Sequence, residues 1–179
     1  MLVRSHGQEA APAVEPIKIG ALFAISGPAL FLGKPEANSA GMLTEQINAA
    51  GGIHGRPVEV IIKDTKGDPQ QTIALANELI QKDRVVAIIG PSRSGSSMAI
   101  IPVITQHKIP LVSCAAAETI ISPADKREWV FKTAQKDSQV IEHIFLKMKA
   151  MGLSKAGIIT GTTDFGKEEI GRASCRERV

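Results

Sequence analysis

Short apolar runs and helix-period segments take turns along almost the whole sequence. The runs are IKIGALFA (Ile17–Ala24), PVEVIIKDT (Pro57–Thr65), VVAIIG (Val85–Gly90), IPLVS (Ile109–Ser113), WVFKTA (Trp129–Ala134) and KAGIITG (Lys155–Gly161). Each has the length and β-branched content of a buried strand. Between the first two, Ala37, Ala40, Met42, Leu43 and Ile47 mark a helix from about Pro35 to Ala50, which Gly51-Gly52 ends. Asp68 is placed to cap the next helix, with Pro69 at its first position and Ile73, Leu75, Ala76, Leu79 and Ile80 as its apolar face. A third helix follows the stretch GPSRSGSS, and a fourth is expected over Asp137–Met151. This alternation predicts an α/β fold: a parallel sheet with helices on both faces, joined by right-handed crossovers.

In the strand order 2-1-3-4, ligands bind at the switch point between strands one and three, outside their carboxyl ends. Those ends carry SGPALFLG and GPSRSGSS, and strand four delivers SCAAAE beside them. Gly90 and Gly95 have the separation of a Walker A loop, but Ser96 stands where that loop needs its lysine. Arg93, at mid-loop, is expected to face solvent. Nucleotide hydrolysis is therefore disfavoured. The bland alternative is a strand-to-helix turn in which Ser92, Ser94, Ser96 and Ser97 act as caps. The functional alternative is an anion site, since free N–H groups, hydroxyls and a helix dipole converge there, and a carboxylate needs no lysine. Asp64 ends strand two where a ribose-binding acid would sit, yet ISGPALFLG is not the dinucleotide fingerprint. The crevice loops offer no acid pair, nucleophile–base pair or metal cluster, which points to binding without catalysis, cofactor or metal.

Composition narrows the partners. The 179 residues are 44% hydrophobic and 22% charged, as in ordinary globular domains, and no apolar run reaches membrane-spanning length. The net charge of +3 comes from scattered side chains, and aromatics are 3%, so nucleic acid is not an expected partner. Cys114 and Cys175 lack metal-ligand spacing, and His6, His54, His107 and His143 are dispersed. Cys114 reads as a small apolar filler. GQEAAPAVEP has the small-residue character with which many exported mature chains begin, so an export signal upstream of Met1 is expected.

The phrase NAAGGIHGRP, a strand ending in Asp, then DPQQ, resembles the leucine/isoleucine/valine-type substrate-binding proteins of ABC importers. The resemblance extends in order through IKIGALFAISGPALFLG, VVAIIGPSRSGSSMAIIPVITQHKIPLVSCAAAE, WVFKTAQKDSQ and IITGTTDFGKE, from Ile17 to Glu168. It implies a type I periplasmic-binding-protein-like architecture of two lobes closing on a ligand. Residues 1–16 would be an N-terminal remnant, 17–131 lobe one, and 132–169 the start of a second lobe only begun, with the hinge near Lys132–Thr133. It implies that the serine loop and the strand-four loop hold a ligand carboxylate, through Ser94, Ser96 and the backbone of Ala115 and Ala117. Ser92, Ala116 and Leu32 line the same place, and Phe165 packs on the ligand from the second lobe. Leu32 before Gly33, Ala117 and Phe165 each replace a residue that is often more polar or aromatic in amino-acid binders. The implied ligand is thus a branched-chain or aliphatic amino acid, or an apolar carboxylate without an amine. The implied partner is a membrane permease, and the implied location is periplasmic. A ligand-sensing domain of a receptor or regulator, and a nucleotide-using α/β enzyme, are the alternatives.

The last residues break the pattern. EIGRASCRERV has no helical stripe and, back-translated, matches read-through of a sequencing adapter. Residues 170–179 are therefore expected to be a non-native tail, which would take three arginines, one glutamate and Cys175 with it. The apolar side chains of Val140, Ile144, Leu146, Ile158 and Ile159 are expected to be poorly covered.

Overall fold

A computed structural model describes residues 14–157, 159, 161–163 and 165–166. Five strands form one wholly parallel sheet in the order β2-β1-β3-β4-β5. They are β1 (Ile17–Phe23), β2 (Val58–Asp64), β3 (Ala87–Ile89), β4 (Leu111–Ser113) and β5 (Val130–Lys132). The order 2-1-3-4, which sets the expected position of the crevice, is present, with β5 added outside β4. The longest pairing runs from Ile17 opposite Val58 to Phe23 opposite Asp64, so β1 and β2 end level. The anticipated α/β parallel fold is therefore what the chain adopts.

Helices α2 (Pro69–Glu78) and α3 (Ser94–His107) pack on each other, and α1 (Leu30–Ala49) lies against β1 and β2. The core joins Leu22, Ile88, Leu111 and Val130 of the sheet to Ala76, Ile100 and Ile104 of the helices, with Leu79 beside them, all buried. Asp68 caps α2 as its sequence foretells: its carboxylate accepts from the Gln71 N–H at 2.6 Å, and Pro69 takes the first turn, where no N–H is needed.

Three expectations need correction. Helix α1 starts at Leu30 rather than near Pro35, and Pro35 lies inside it. The N–H that proline lacks would have bonded only one carbonyl near the helix start, so the cost there is less than in a helix interior. The apolar marks of α1 are not buried either: Met42, Leu43 and Ile47 are exposed, and only Gly33 is buried. The strand expected at Lys155–Gly161 is absent among its described residues, which have no sheet neighbour to pair with; Ile158 and Thr160 lie outside them. Helix α4 (Asp137–Ala150) forms as expected, but Val140, Ile144 and Leu146 are exposed and Ile159 is fully so, as anticipated. The tail expected at 170–179 lies outside the described residues. Among those described, no helix is long and apolar enough to cross a membrane.

Candidate functional site

Two glycines set the crevice. Gly90 leaves β3 at φ +90°, and a Cβ there would sit 2.3 Å from the Leu22 carbonyl oxygen. Only glycine lets the serine loop cross the end of β1 this closely. Gly33 brings α1 equally near, since its Cβ would meet the Ala24 backbone at 2.4 Å.

The four serines of the loop divide by task. Ser92 accepts from the Ala24 N–H at 3.1 Å and donates to the Glu36 carboxylate, tying the loop to β1 and α1. Ser94 accepts from the Ala117 N–H at 3.3 Å, and its own proton is left for another acceptor. Ser97 bonds the Arg93 carbonyl at 3.1 Å and the Ser113 hydroxyl at 2.7 Å, at the end of β4. Ser96 is 1% exposed, and its hydroxyl has no partner among the described residues. None of them caps α3: the N-cap is Arg93, with no capping side chain, so the first N–H groups of the helix are unclaimed by one. The cap reading of these serines does not hold.

The strand-four loop is equally engaged. The Ala115 N–H donates to Ser113 Oγ at 3.1 Å, and the Ala116 and Ala117 carbonyls accept from Lys132 Nζ. The amides of Ala115 and Ala117, expected to meet a carboxylate, thus have internal partners, whereas the Ala116 N–H has none among the described residues.

Two chambers open on this floor. One of about 380 Å³ is walled by Phe31, Leu32, Ser92, Ser94, Cys114, Ala115 and Ala116, with Phe165 opposite. The other, of about 250 Å³, is walled by Gly67, Arg93, Ser94, Ser96, Thr162 and Phe165. The first gathers Leu32, Ser92, Ser94, Ala115, Ala116 and Phe165 of the expected set; Ser96 faces the second, and Ala117 lies buried behind. Cys114 is a free thiol. Burial first, then the Glu36 charge, pushes it up to about 11, so it stays protonated near neutrality. Asp64 is engaged in holding its own loop. Its carboxylate takes the Ile25 N–H at 3.1 Å, the Ser26 hydroxyl at 2.5 Å and the Lys66 N–H at 2.9 Å. Burial would raise it, and these bonds outweigh burial and hold it below the usual carboxylate value. Among the described residues no His, Cys, Asp and Glu cluster could hold a metal ion.

The fold that holds this crevice, at the carboxyl ends of β1, β3 and β4, recurs in known proteins. The profile of the periplasmic binding protein family matches residues 16–174. The chain belongs to that family. Leu/Ile/Val-binding protein homolog 3 of Brucella melitensis is 28% identical over 159 residues, 88% of this chain and 43% of the relative. Leu/Ile/Val-binding protein homolog 7 of Brucella abortus is 38% identical over 90 residues, 50% of this chain and 22% of that one. Among solved structures, an extracellular ligand-binding receptor from Rhodopseudomonas palustris superposes with a TM-score of 0.82 at 27% identity, over 89% of this chain and 43% of its own. The branched-chain amino acid transporter substrate binding protein of Streptococcus pneumoniae, solved with isoleucine, gives 0.73 at 25%, over 88% and 45%. The chain thus spans less than half the length of these periplasmic binding protein relatives.

Sequence reasoning missed three residues of this periplasmic binding protein. Glu36 is half-buried under Ser92, and burial, only partly offset by the Ser92 hydroxyl, raises its carboxyl above the ordinary glutamate value. Lys132 closes on the strand-four loop and also donates to the Gln135 carbonyl at 3.2 Å. Arg93 is half-buried instead of solvent-facing, and it enters the walls of both chambers.

Proposed function

We propose that this chain is the ligand-capturing part of an ABC importer's substrate-binding receptor, working outside the cytoplasmic membrane and delivering to a membrane permease. The ligand is a branched-chain or other aliphatic amino acid, or a related apolar carboxylate. One observation carries the reading. The open start of α3, with the Ser94 hydroxyl beside it, adjoins an apolar chamber walled by Phe31, Leu32 and Phe165. A carboxylate belongs at the first and an aliphatic body in the second. The names of the relatives and the isoleucine in one solved neighbour support the same class. Residues Ser92, Ser94, Ser96, Leu32, Phe165 and the Ala115–Ala117 backbone form the candidate set. Within it Ser94 has a hydroxyl proton to give, and Ser92 serves as the strut that holds the loop.

Calorimetric titration of the full chain with leucine, isoleucine, valine and benzoate tests this. One of them should bind, and Ser94→Ala should weaken it roughly ten- to hundredfold, the worth of a hydrogen bond to a charged group. Absence of heat with all four overturns the reading.

A further inference from the structure

The two chambers meet along a shared wall of Arg93, Ser94 and Phe165, yet their chemistry differs. The larger is mainly apolar. The smaller is more polar: Ser94, Ser96, Thr162, Thr163 and the Arg93 guanidinium share its wall with Pro69 and Phe165. We infer that the cleft is built for an acid with two anionic groups on a short apolar linker, and that Arg93 and Ser96 select the second group. This deepens the receptor reading and rests on it.

The first observation is the charge on Arg93. Among the described residues its guanidinium makes one hydrogen bond, a long one from Nη1 to the Gly67 carbonyl at 3.5 Å, and pairs with no carboxylate. A half-buried guanidinium with five donors and one weak acceptor is matched to a planar oxyanion. The second observation is independent. Ser96, alone among the loop serines, keeps a buried hydroxyl without a partner among the described residues, and it belongs to the wall of the smaller chamber. Orphaned buried hydroxyls are rare because they forgo the water they lost, so one at the edge of a cavity marks a place for an acceptor from outside. The third is the uncapped N-terminus of α3, a helix of 14 residues that begins at Ser94 on the wall shared by both chambers, where its positive dipole end favours anionic groups on either side.

A singly charged aliphatic acid satisfies the Ser94 end and leaves Arg93 and Ser96 unmatched. A short diacid places its linker against Phe31, Leu32 and Phe165 and its second carboxylate between Arg93 and Ser96.

The test is calorimetry on the full chain with glutarate and adipate, each against the monoacid of the same carbon count, and with leucine. The diacids should bind at least about tenfold more tightly than their monoacids, and Arg93→Met should erase that advantage. Ser96→Ala should weaken diacid binding severalfold while the melting temperature of the ligand-free protein holds or rises, because the change removes an unsatisfied buried group. A purely structural serine would move both readouts downward together. Equal affinity for diacid and monoacid overturns the inference, and so do substitutions that weaken both by the same factor. Binding of leucine or a monoacid with no diacid preference sinks the inference and leaves the receptor reading standing. Binding of none overturns the inference, and if isoleucine, valine and benzoate also give no heat it removes the receptor reading with it.

Discussion

At the scale of single residues, Glu36 shows how a side chain can be held where it is costly. Its carboxylate lies half-buried beneath the serine loop, fixed by Ser92. An acid whose folded-state pKa is raised holds its proton more tightly folded than unfolded. The folded state is therefore relatively favoured in acid and loses stability as pH rises from the ordinary glutamate range through the raised value. Glu36→Gln keeps an acceptor for Ser92 and removes that loss. It should be more stable than the parent at about pH 8, with the gap closing by about pH 4, as read from urea midpoints at both values. Position alone did not expose such residues. The sequence placed GPSRSGSS and SCAAAE at one crevice, because strand ends are legible from hydrophobic runs. It could not tell which of four serines would be left without a partner. That depends on Ala24, Ser113 and Ala117 arriving from elements far along the chain. Arg93 turns inward for a similarly remote reason, its side chain lying across Gly67 of the neighbouring loop.

At the scale of elements, Gly33 decides how α1 meets the sheet. Helix propensity alone favours alanine there by about 1 kcal/mol. The added methyl would lie 2.4 Å from the Ala24 backbone, and backbone cannot rotate aside. Overpacking of this kind costs roughly 1–3 kcal/mol or more, so the steric effect wins. Gly33→Ala should lower the unfolding free energy by at least that amount and blunt ligand binding, since α1 carries Leu32 and Glu36. Denaturant titration checks the first outcome. The buried strands were readable because parallel strands covered on both faces leave continuous apolar runs. The start of α1 was not, because Pro35 has the look of a first-turn residue and stands instead at the sixth position. The final apolar run misled for another reason: a strand exists only by pairing, and composition cannot supply a neighbour.

At the scale of the whole molecule, polar and apolar surface are unevenly shared. Val140, Ile144, Met148 and Met151 line an open groove of about 570 Å³ on α4 and the turn after it, away from the core. Such a surface binds hydrophobic dyes and promotes association. The chain should enhance the fluorescence of anilinonaphthalene sulfonate without denaturant, and Ile144→Lys should reduce both that signal and light scattering at high concentration. The candidate cleft contrasts with this groove. Three of its serines are already bonded to β1, α1, β4 and the loop beyond it. Ordering a loop of eight residues on binding would oppose association by several kcal/mol of conformational entropy, at ~1 kcal/mol or more per residue. Here that freedom is given up when the chain folds. A molecule entering the cleft meets a loop already set in place, so its contacts need not offset the entropy of ordering that loop.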